Sequence, residues 1–189
     1  MDKRVVPVGL SNRHVHLSSE HIEVLFGKGH TLEVMKDLSQ PNQYAAEERV
    51  ELVGPKGSLM ARILGPARKF TQVEISNSDS FVLGVKAPVR DSGDLEGSPG
   101  LILKGPAGEV TIEKGVIVAA RHIHMHTDDA RKFDLKDKSR VDVKVSGQRG
   151  LIFSNVLVRV NEEYALDFHI DLDEANAAGL KNGDLVQVL

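Results

Sequence analysis

Two short histidine runs are the residues of this chain best suited to chemistry. Arg13–His16 reads Arg-His-Val-His, and Arg121–His124 reads Arg-His-Ile-His. Each run follows an apolar stretch, at residues 5–8 and 116–120, which predicts that each run ends a β-strand. Residues i and i+2 of a strand point to the same face, so both imidazoles of a pair can reach one ion. The repeated pair of potential ligands therefore predicts a built metal site.

Two titratable residues in other predicted strands could add a third ligand. Glu74 and His169 each stand between apolar neighbours. The plainer interpretations are an outward-facing carboxylate for Glu74 and a hydrogen-bonded strand-end histidine for His169. A ligating imidazole offers its second ring nitrogen to an acceptor, and Asp167 or Asp171 could orient a ligand in this way. Because the chain contains no cysteine, metal ligation falls to His, Asp and Glu, which suits zinc.

One arginine stands close to these candidate ligands in the sequence. Arg68 follows a glycine-proline turn and precedes Glu74 by a few residues. Its planar guanidinium suits phosphate or carboxylate, so we expect an anion-binding role rather than that of an ordinary surface arginine. For the remaining histidines we expect solvent exposure: His21, His30 and His126.

The composition excludes several functional classes. The 189 residues carry a formal net charge of −3, which gives no global basic field for a nucleic-acid partner. The sequence lacks the apolar run of a signal peptide and the ~20 apolar residues of a membrane span, which favours a soluble, cytoplasmic protein. Aromatic residues make up 4% and tryptophan is absent, so the core must consist of Val, Ile and Leu. That composition favours a β-rich fold.

The elements that must position the candidate ligands are mostly strands. Glycine-proline and asparagine-glycine turns separate short β-branched or alternating segments, which is typical of an all-β fold of small barrels or a sandwich. The predicted strands cover 31–35, 50–53, 59–64, 71–75, 101–104, 110–112, 116–119, 141–145, 151–160, 165–170 and 185–189. Cap and stop signals predict three short helices: from Ser18 or Ser19 to Phe26, 128–133 after Thr127, and 171–178.

The chain shows signs of internal duplication. Segments 129–143 and 174–188 both read as helix, turn and strand, and a helix signal follows each histidine pair. We therefore predict two related β-barrel domains capped by short α-helices, with exchange of strands between the halves left open. A polar, glycine-rich connection at 90–100 would join them, as either a plain linker or a loop that covers a ligand.

The two predicted halves have the following boundaries. The first half is residues 1–89 and the second half is residues 101–189.

Taken together, these residues resemble a known family over residues 5–189. The family is the PduL-type phosphotransacylases, also called phosphate propanoyltransferases. The resemblance is carried by the segments Ser11–Leu17, Gly65–Arg68, Gln72–Ser76, Ala120–Met125 and Asp167–His169. It implies two β-barrels capped by short helices. It also implies an acyltransferase that reversibly converts propanoyl-CoA or acetyl-CoA plus phosphate to acyl phosphate plus coenzyme A, by direct phosphate attack at a dizinc site.

The resemblance also implies roles for individual residues. One zinc, near the sulfur of coenzyme A, would be held by His14, His16 and Glu74. The other zinc, with water positions open for phosphate, would be held by His122, His124 and His169. Arg68 matches an arginine implicated in phosphate binding and catalysis. The residues that contact coenzyme A are not readable from the sequence, and the candidates for its phosphates are, on charge alone, Lys69 and Arg90.

Further expectations concern partners and location. Family members act in propanediol degradation, and many work inside bacterial microcompartments and carry an N-terminal amphipathic segment for encapsulation. Only a few residues precede the first strand here, so we expect either a cytoplasmic enzyme or a microcompartment enzyme whose N-terminal segment was trimmed. A homodimer and association with a microcompartment shell are further expectations. A second departure is His126, where the family has threonine or serine, which leaves the ligand count at that metal open.

Two alternative functions stay open at this point. The spacing of His14, His16 and Glu20, followed by Gly27, fits the first motif of a cupin metalloenzyme, which would bind iron or manganese and have no affinity for coenzyme A. Glu20 falls at a predicted helix start rather than in a strand, which argues against the cupin. The other alternative is a non-catalytic module with structural zinc, but three ligands per site leave a position open for chemistry.

Overall fold

Residues 4–189 are described by the computed structural model, and their architecture is mainly β, as predicted. The strands are β1 Val5–Ser11, β2 His14–His16, β3 Val34–Asp37, β4 Tyr44–Val53, β5 Ser58–Gly65, β6 Gln72–Glu74, β7 Val89–Arg90, β8 Leu101–Lys104, β9 Glu109–Ile112, β10 Val116–Ala119, β11 His122–Met125, β12 Arg140–Val145, β13 Leu151–Val160, β14 Asp167–Asp171 and β15 Leu185–Val188. The helices in this part of the chain are α1 Ser19–Phe26, α2 Asn77–Leu83, α3 Thr127–Phe133 and α4 Leu172–Ala178. Within residues 4–189, no helix combines the length and apolar character needed to cross a bilayer.

One compact unit is a closed six-stranded barrel. It contains residues 4–11, 39–41 and 120–189, and its strands follow the order β1-β14-β11-β13-β12-β15 before returning to β1. Its interior is filled by aliphatic and aromatic side chains that are fully shielded from solvent, including Ile123, Met125 and Phe168. Closure leaves no free sheet edge, so every strand of this barrel is held on both sides.

The other compact unit is a nine-stranded half-barrel. It contains residues 12–38 and 42–119, and its strands follow the order β7-β10-β6-β2-β5-β4-β8-β9, with β3 paired to β4. Its core consists mainly of Leu, Ile and Val, with Leu25, Ile63 and Leu103 fully buried. The aliphatic core expected from the scarcity of aromatic residues is thus present.

The two units surround their histidine strands in the same way. β2 pairs in parallel with β5 and antiparallel with β6, whereas β11 pairs in parallel with β13 and antiparallel with β14. The next strand outward is parallel in both cases: β10 beside β6, and β1 beside β14. The division of the chain into 1–89, 90–100 and 101–189 stays a prediction; each compact unit takes residues from both predicted halves.

The prediction that each histidine run ends the preceding apolar strand is wrong. β1 ends at Ser11 and pairs within the barrel, whereas the first histidine pair forms β2 in the half-barrel. β10 ends at Ala119 in the half-barrel, and the second pair forms β11 in the barrel. The chain therefore leaves one sheet and enters the other just before each pair. The expected same-face arrangement of the two imidazoles survives, because each pair lies on a strand of its own.

Side-chain caps define where the helices begin. Ser18 accepts from the His21 amide to start α1, in agreement with the predicted cap, and α1 ends at Gly27. Residue 126 caps α3 through its imidazole, so the expected cap, Thr127, is instead the first helical residue. No predicted helix corresponds to α2, which begins with a capping box at Ser76.

Leu103 provides a test of the half-barrel core. We expect Leu103→Ala to lower the free energy of unfolding by about 2–5 kcal/mol, because it removes a fully buried side chain and leaves a cavity. Urea unfolding measures this change. The control is Met60→Ala in the same unit, where the side chain is largely exposed and the expected change is within about 0.5 kcal/mol. Equal losses in the two variants would contradict the assigned core.

Candidate metal centres

The strand register brings each histidine pair together with the predicted third ligand. His14 lies directly opposite Glu74 in the antiparallel β2–β6 pair, and His122 lies opposite His169 in the β11–β14 pair. Residues opposite one another in this way have closely spaced Cβ atoms. Two groups of three potential ligands result: His14, His16 and Glu74 form one, and His122, His124 and His169 form the other. Within each group, the three potential ligand atoms, one from each residue, all lie within 4.8 Å of one another.

The first histidine of each pair is held by the carbonyl two residues before it. The Nδ1 atoms of His14 and His122 lie 2.8 Å from the carbonyl oxygens of Asn12 and Ala120, respectively. A carbonyl only accepts, so Nδ1 carries the proton and Nε2 has the lone pair that a metal needs. The same tautomer is therefore set at both centres by the same local contact.

The second histidine of each pair has a buried ring nitrogen without a hydrogen-bond partner. This atom is Nδ1 in both His16 and His124. An unpaired buried nitrogen costs free energy, and a bound cation would satisfy it. The donor sets therefore fit a zinc ion at each group.

The protonation state of the second histidine in each pair suits metal binding. Burial holds the pKa of His16 well below its usual range, and electrostatic interactions with His14 and Arg68 lower it further. Burial also lowers the pKa of His124 to about 2, with added effects from His122, His169 and Arg159. Both imidazoles are therefore neutral at physiological pH, which is the form that ligates metal.

Glu74 is fixed by neighbours that the sequence did not single out. Its Oε1 atom accepts from the Gln72 side-chain amide at 2.5 Å and from the Ser92 hydroxyl at 2.9 Å, while Oε2 lies 3.5 Å from Nε2 of His14. Ser92 belongs to the glycine-rich connection, and the Gly93 amide donates to Gln72. This segment therefore contacts a candidate ligand directly.

His169 is oriented by a buried carboxylate. Its Nε2 atom lies 3.0 Å from Oδ2 of Asp167, and the same oxygen accepts from the Ser39 hydroxyl at 2.5 Å. Gly9 of β1 faces this pair, since a Cβ built there would lie 2.6 Å from that oxygen. The orienting role considered for Asp167 thus has a geometric basis, whereas Asp171 caps α4.

Arg68 is tied to the histidine strand by its backbone. Its amide donates to the carbonyl of Leu17, the residue after His16, at 2.8 Å, and its charge lowers the pKa of His16. Of the two candidates for coenzyme A phosphates, Lys69 is exposed and lies over the ring of Phe70. Arg90 is half-buried, with a buried Nε atom 3.7 Å from Asp94.

The other histidines were expected to be exposed to solvent, but they are half-buried and have polar partners. His21 contacts the Thr71 hydroxyl at 2.7 Å, and His30 contacts Glu48 at 2.6 Å. His126 accepts from the Asp128 amide and does not belong to either ligand group. Glu20, the fourth residue of the cupin spacing, is exposed in the first turn of α1 and is likewise outside the groups.

Comparisons with known proteins agree on one family. A sequence model described as phosphate propanoyltransferase matches residues 7–181. A phosphate propanoyltransferase of Thermotoga maritima is 60% identical over 184 residues, which cover 96% of this chain and 88% of the relative. One of Rhodobacter capsulatus is 55% identical over 188 residues, covering 99% and 87%, and one of Clostridioides difficile is 50% identical over 185 residues, covering 97% and 88%.

The Asp167 contact can be tested with an isosteric variant. We expect Asp167→Asn to weaken zinc binding at the three-histidine group by about 10-fold or more, because the imidazole loses its charged acceptor. Zinc binding at the other group is expected to stay unchanged. Dialysis against chelator-buffered zinc measures both, with Asp94→Asn on an exposed turn as the control. Unchanged zinc binding at both groups would remove Asp167 from the centre.

Proposed function

The chain belongs to the phosphate propanoyltransferase family, and from this we propose that it is an acyltransferase between coenzyme A and inorganic phosphate. A phosphate oxygen bonds to the thioester carbonyl carbon, the carbon–sulfur bond breaks, and coenzyme A leaves as its thiolate. The products are acyl phosphate and coenzyme A, and the reaction is reversible. Both propanoyl and acetyl groups are proposed substrates, since one methylene is worth only about 1–3 kcal/mol in an apolar pocket.

The observation that carries this proposal is the size of the two ligand groups. Among residues 4–189, each group consists of three residues. Structural zinc is almost always held by four protein ligands, whereas catalytic zinc keeps a position for water or substrate. Three ligands per group therefore favour chemistry over the structural-zinc module. The exposed position of Glu20 on α1 argues against the cupin alternative.

Two zinc ions per chain are proposed, one at each group. Bound zinc would supply Lewis-acid stabilisation of the departing thiolate at His14, His16 and Glu74, and exchangeable positions for phosphate at His122, His124 and His169. The second set suits an anion because its ligands are neutral imidazoles and leave the positive charge of the ion uncompensated. His169 is also 22% exposed in its side chain, whereas the first set is buried.

Arg68 is the proposed phosphate-binding catalytic residue. Its guanidinium offers paired donors that match phosphate oxygens, and it can hold the nucleophile against the thioester and stabilise the oxyanion that forms. The backbone contact to Leu17 keeps Arg68 beside the first centre. With phosphate held in this way, direct attack needs no acyl-enzyme intermediate.

Other parts of the proposal concern binding and cellular context. Lys69 and Arg90 remain candidates for the phosphates of coenzyme A. A cytoplasmic or microcompartment location, a role in propanediol degradation, a homodimer and association with a shell also remain proposals.

Release of free thiol tests the reaction itself. We expect the zinc-loaded protein to release coenzyme A from propanoyl-CoA and acetyl-CoA only when phosphate is present, and to lose this activity after chelation. A thiol reagent measures the release. Release without phosphate would indicate a thioesterase, and no release under any condition would contradict the proposed acyl transfer.

Replacement of Arg68 separates substrate binding from metal binding. We expect Arg68→Ala to retain two zinc equivalents while kcat falls and the KM for phosphate rises, because only the phosphate loses a partner. His122→Ala should instead reduce zinc toward one equivalent and abolish turnover. Steady-state kinetics and metal analysis measure these effects, with Lys86→Ala, an exposed lysine of the same unit, as the control for loss of positive charge. Loss of zinc from Arg68→Ala would show that its role is misassigned.

A further inference from the structure

The same charged pair occurs beside each ligand group. The Nε and Nη2 atoms of Arg13 donate to Oδ1 of Asp79 at 3.0 and 2.7 Å. Nη1 of Arg121 donates to Oε1 of Glu174 at 2.6 Å. Each arginine immediately precedes the first histidine of one of the two runs. One end of each ion pair is therefore next to a strand that carries two candidate ligands.

The carboxylates of the two pairs also occupy equivalent positions. Asp79 lies in α2, which begins just after Glu74, and Glu174 lies in α4, which begins just after His169. The sequences are Glu74-Ile75-Ser76-Asn77-Ser78-Asp79 and His169-Ile170-Asp171-Leu172-Asp173-Glu174. In both, the third ligand stands two residues before the helix cap, and the acid is the N3 residue of a capping box.

We propose that these pairs are matched clamps, each of which positions the third ligand of one metal centre against its histidine pair. The proposal rests on the zinc centres of the proposed function. One end of each clamp is covalently next to the first histidine, and the other end belongs to the helix turn that fixes the third ligand. A metal centre needs its ligands held to a fraction of an ångström, and ion pairs of this kind supply such support. Arg13, Asp79, Arg121 and Glu174 are thus positioning residues.

The capping boxes do not explain the arginines. The Ser76 amide donates to the Asp79 carboxylate, and the Asp79 amide donates to the Ser76 hydroxyl oxygen. These two hydrogen bonds cap the start of α2. Asp171 and Glu174 do the same for α4. Since each cap is complete without an arginine, the arginine adds a link between the histidine strand and the helix. Arg121 extends the link to β13, where it also donates to the carbonyl of Ser154.

The carboxylates of the clamps are largely shielded from solvent, which strengthens their ion pairs with the arginines. The Asp79 side chain is 8% exposed, and the guanidinium of Arg13 has its pKa raised by the hydrogen bond to it. Burial raises the pKa of Glu174, and the hydrogen bond from Arg121 opposes that rise. By contrast, the Lys114–Glu96 pair is on the surface, where ion pairs contribute little.

Isosteric variants test the clamps one centre at a time. The variants are Asp79→Asn and Glu174→Gln, each placed in a background that retains a single centre. The first centre is isolated by His122→Ala with His124→Ala, and the second by His14→Ala with His16→Ala. Dialysis against chelator-buffered zinc then gives the affinity of each centre without any acyl-CoA present.

The expected result is selective. Asp79→Asn should lower the zinc affinity of the first centre about 10- to 100-fold and leave the second unchanged, and Glu174→Gln should do the reverse. Asp79→Glu should retain zinc at the first centre, because the second centre uses glutamate at this position. The matched control is Glu96→Gln, which removes an exposed ion pair and should change neither affinity.

Other outcomes overturn the proposal. A purely structural role would appear as a lower Tm of the zinc-free protein with unchanged zinc affinities, or with equal losses at both centres. The result is also separable from the proposed reaction. If the protein transfers acyl groups but the Asp79→Asn and Glu174→Gln variants bind zinc as tightly as the wild type, the clamp proposal is contradicted and the proposed reaction is not. A selective loss in a protein that fails to transfer acyl groups would support the clamps and contradict the reaction.

Discussion

Antiparallel pairing of each histidine strand with the strand of its third ligand is the constraint on which this structure depends. β2 against β6 places His14 opposite Glu74, and β11 against β14 places His122 opposite His169. Because side chains alternate along a strand, a slip of one residue in either pair would turn the third ligand to the opposite face. The composition of each candidate centre is therefore set by backbone hydrogen bonding before any metal binds.

Packing protects that register. The residue between the two histidines of each pair is Val15 in one unit and Ile123 in the other, and both are fully buried in the aliphatic cores. Their burial fixes which face of each strand carries the imidazoles. A parallel neighbour, β5 or β13, holds the other edge of each histidine strand. The helices that follow the third ligands then begin at side-chain caps, so the ligand strands end at defined points.

The sequence could predict the candidate ligands but not the path of the chain between them. Histidine spacing, its repetition and the absence of cysteine are local signals that indicated the two histidine pairs, and the family resemblance added Glu74 and His169; the structure places the six residues in two groups of three. The chain changes from one sheet to the other after β1 and again after β10. These changes depend on pairing between strands that are distant in sequence, for which local patterns carry no signal. The contact between Ser39 and Asp167 is equally remote in sequence. The helix α2 is different, because the Ser76–Asp79 capping box was a readable signal.

The most direct test of this account is anomalous diffraction at the zinc edge from crystals of the zinc-loaded protein. The account predicts two peaks per chain, one bound by His14, His16 and Glu74 and the other by His122, His124 and His169, with zinc–nitrogen distances of about 2.0–2.1 Å. Each ion should have a non-protein ligand as well. A single peak, a peak away from these residues, or a fourth protein ligand at either ion would contradict the account.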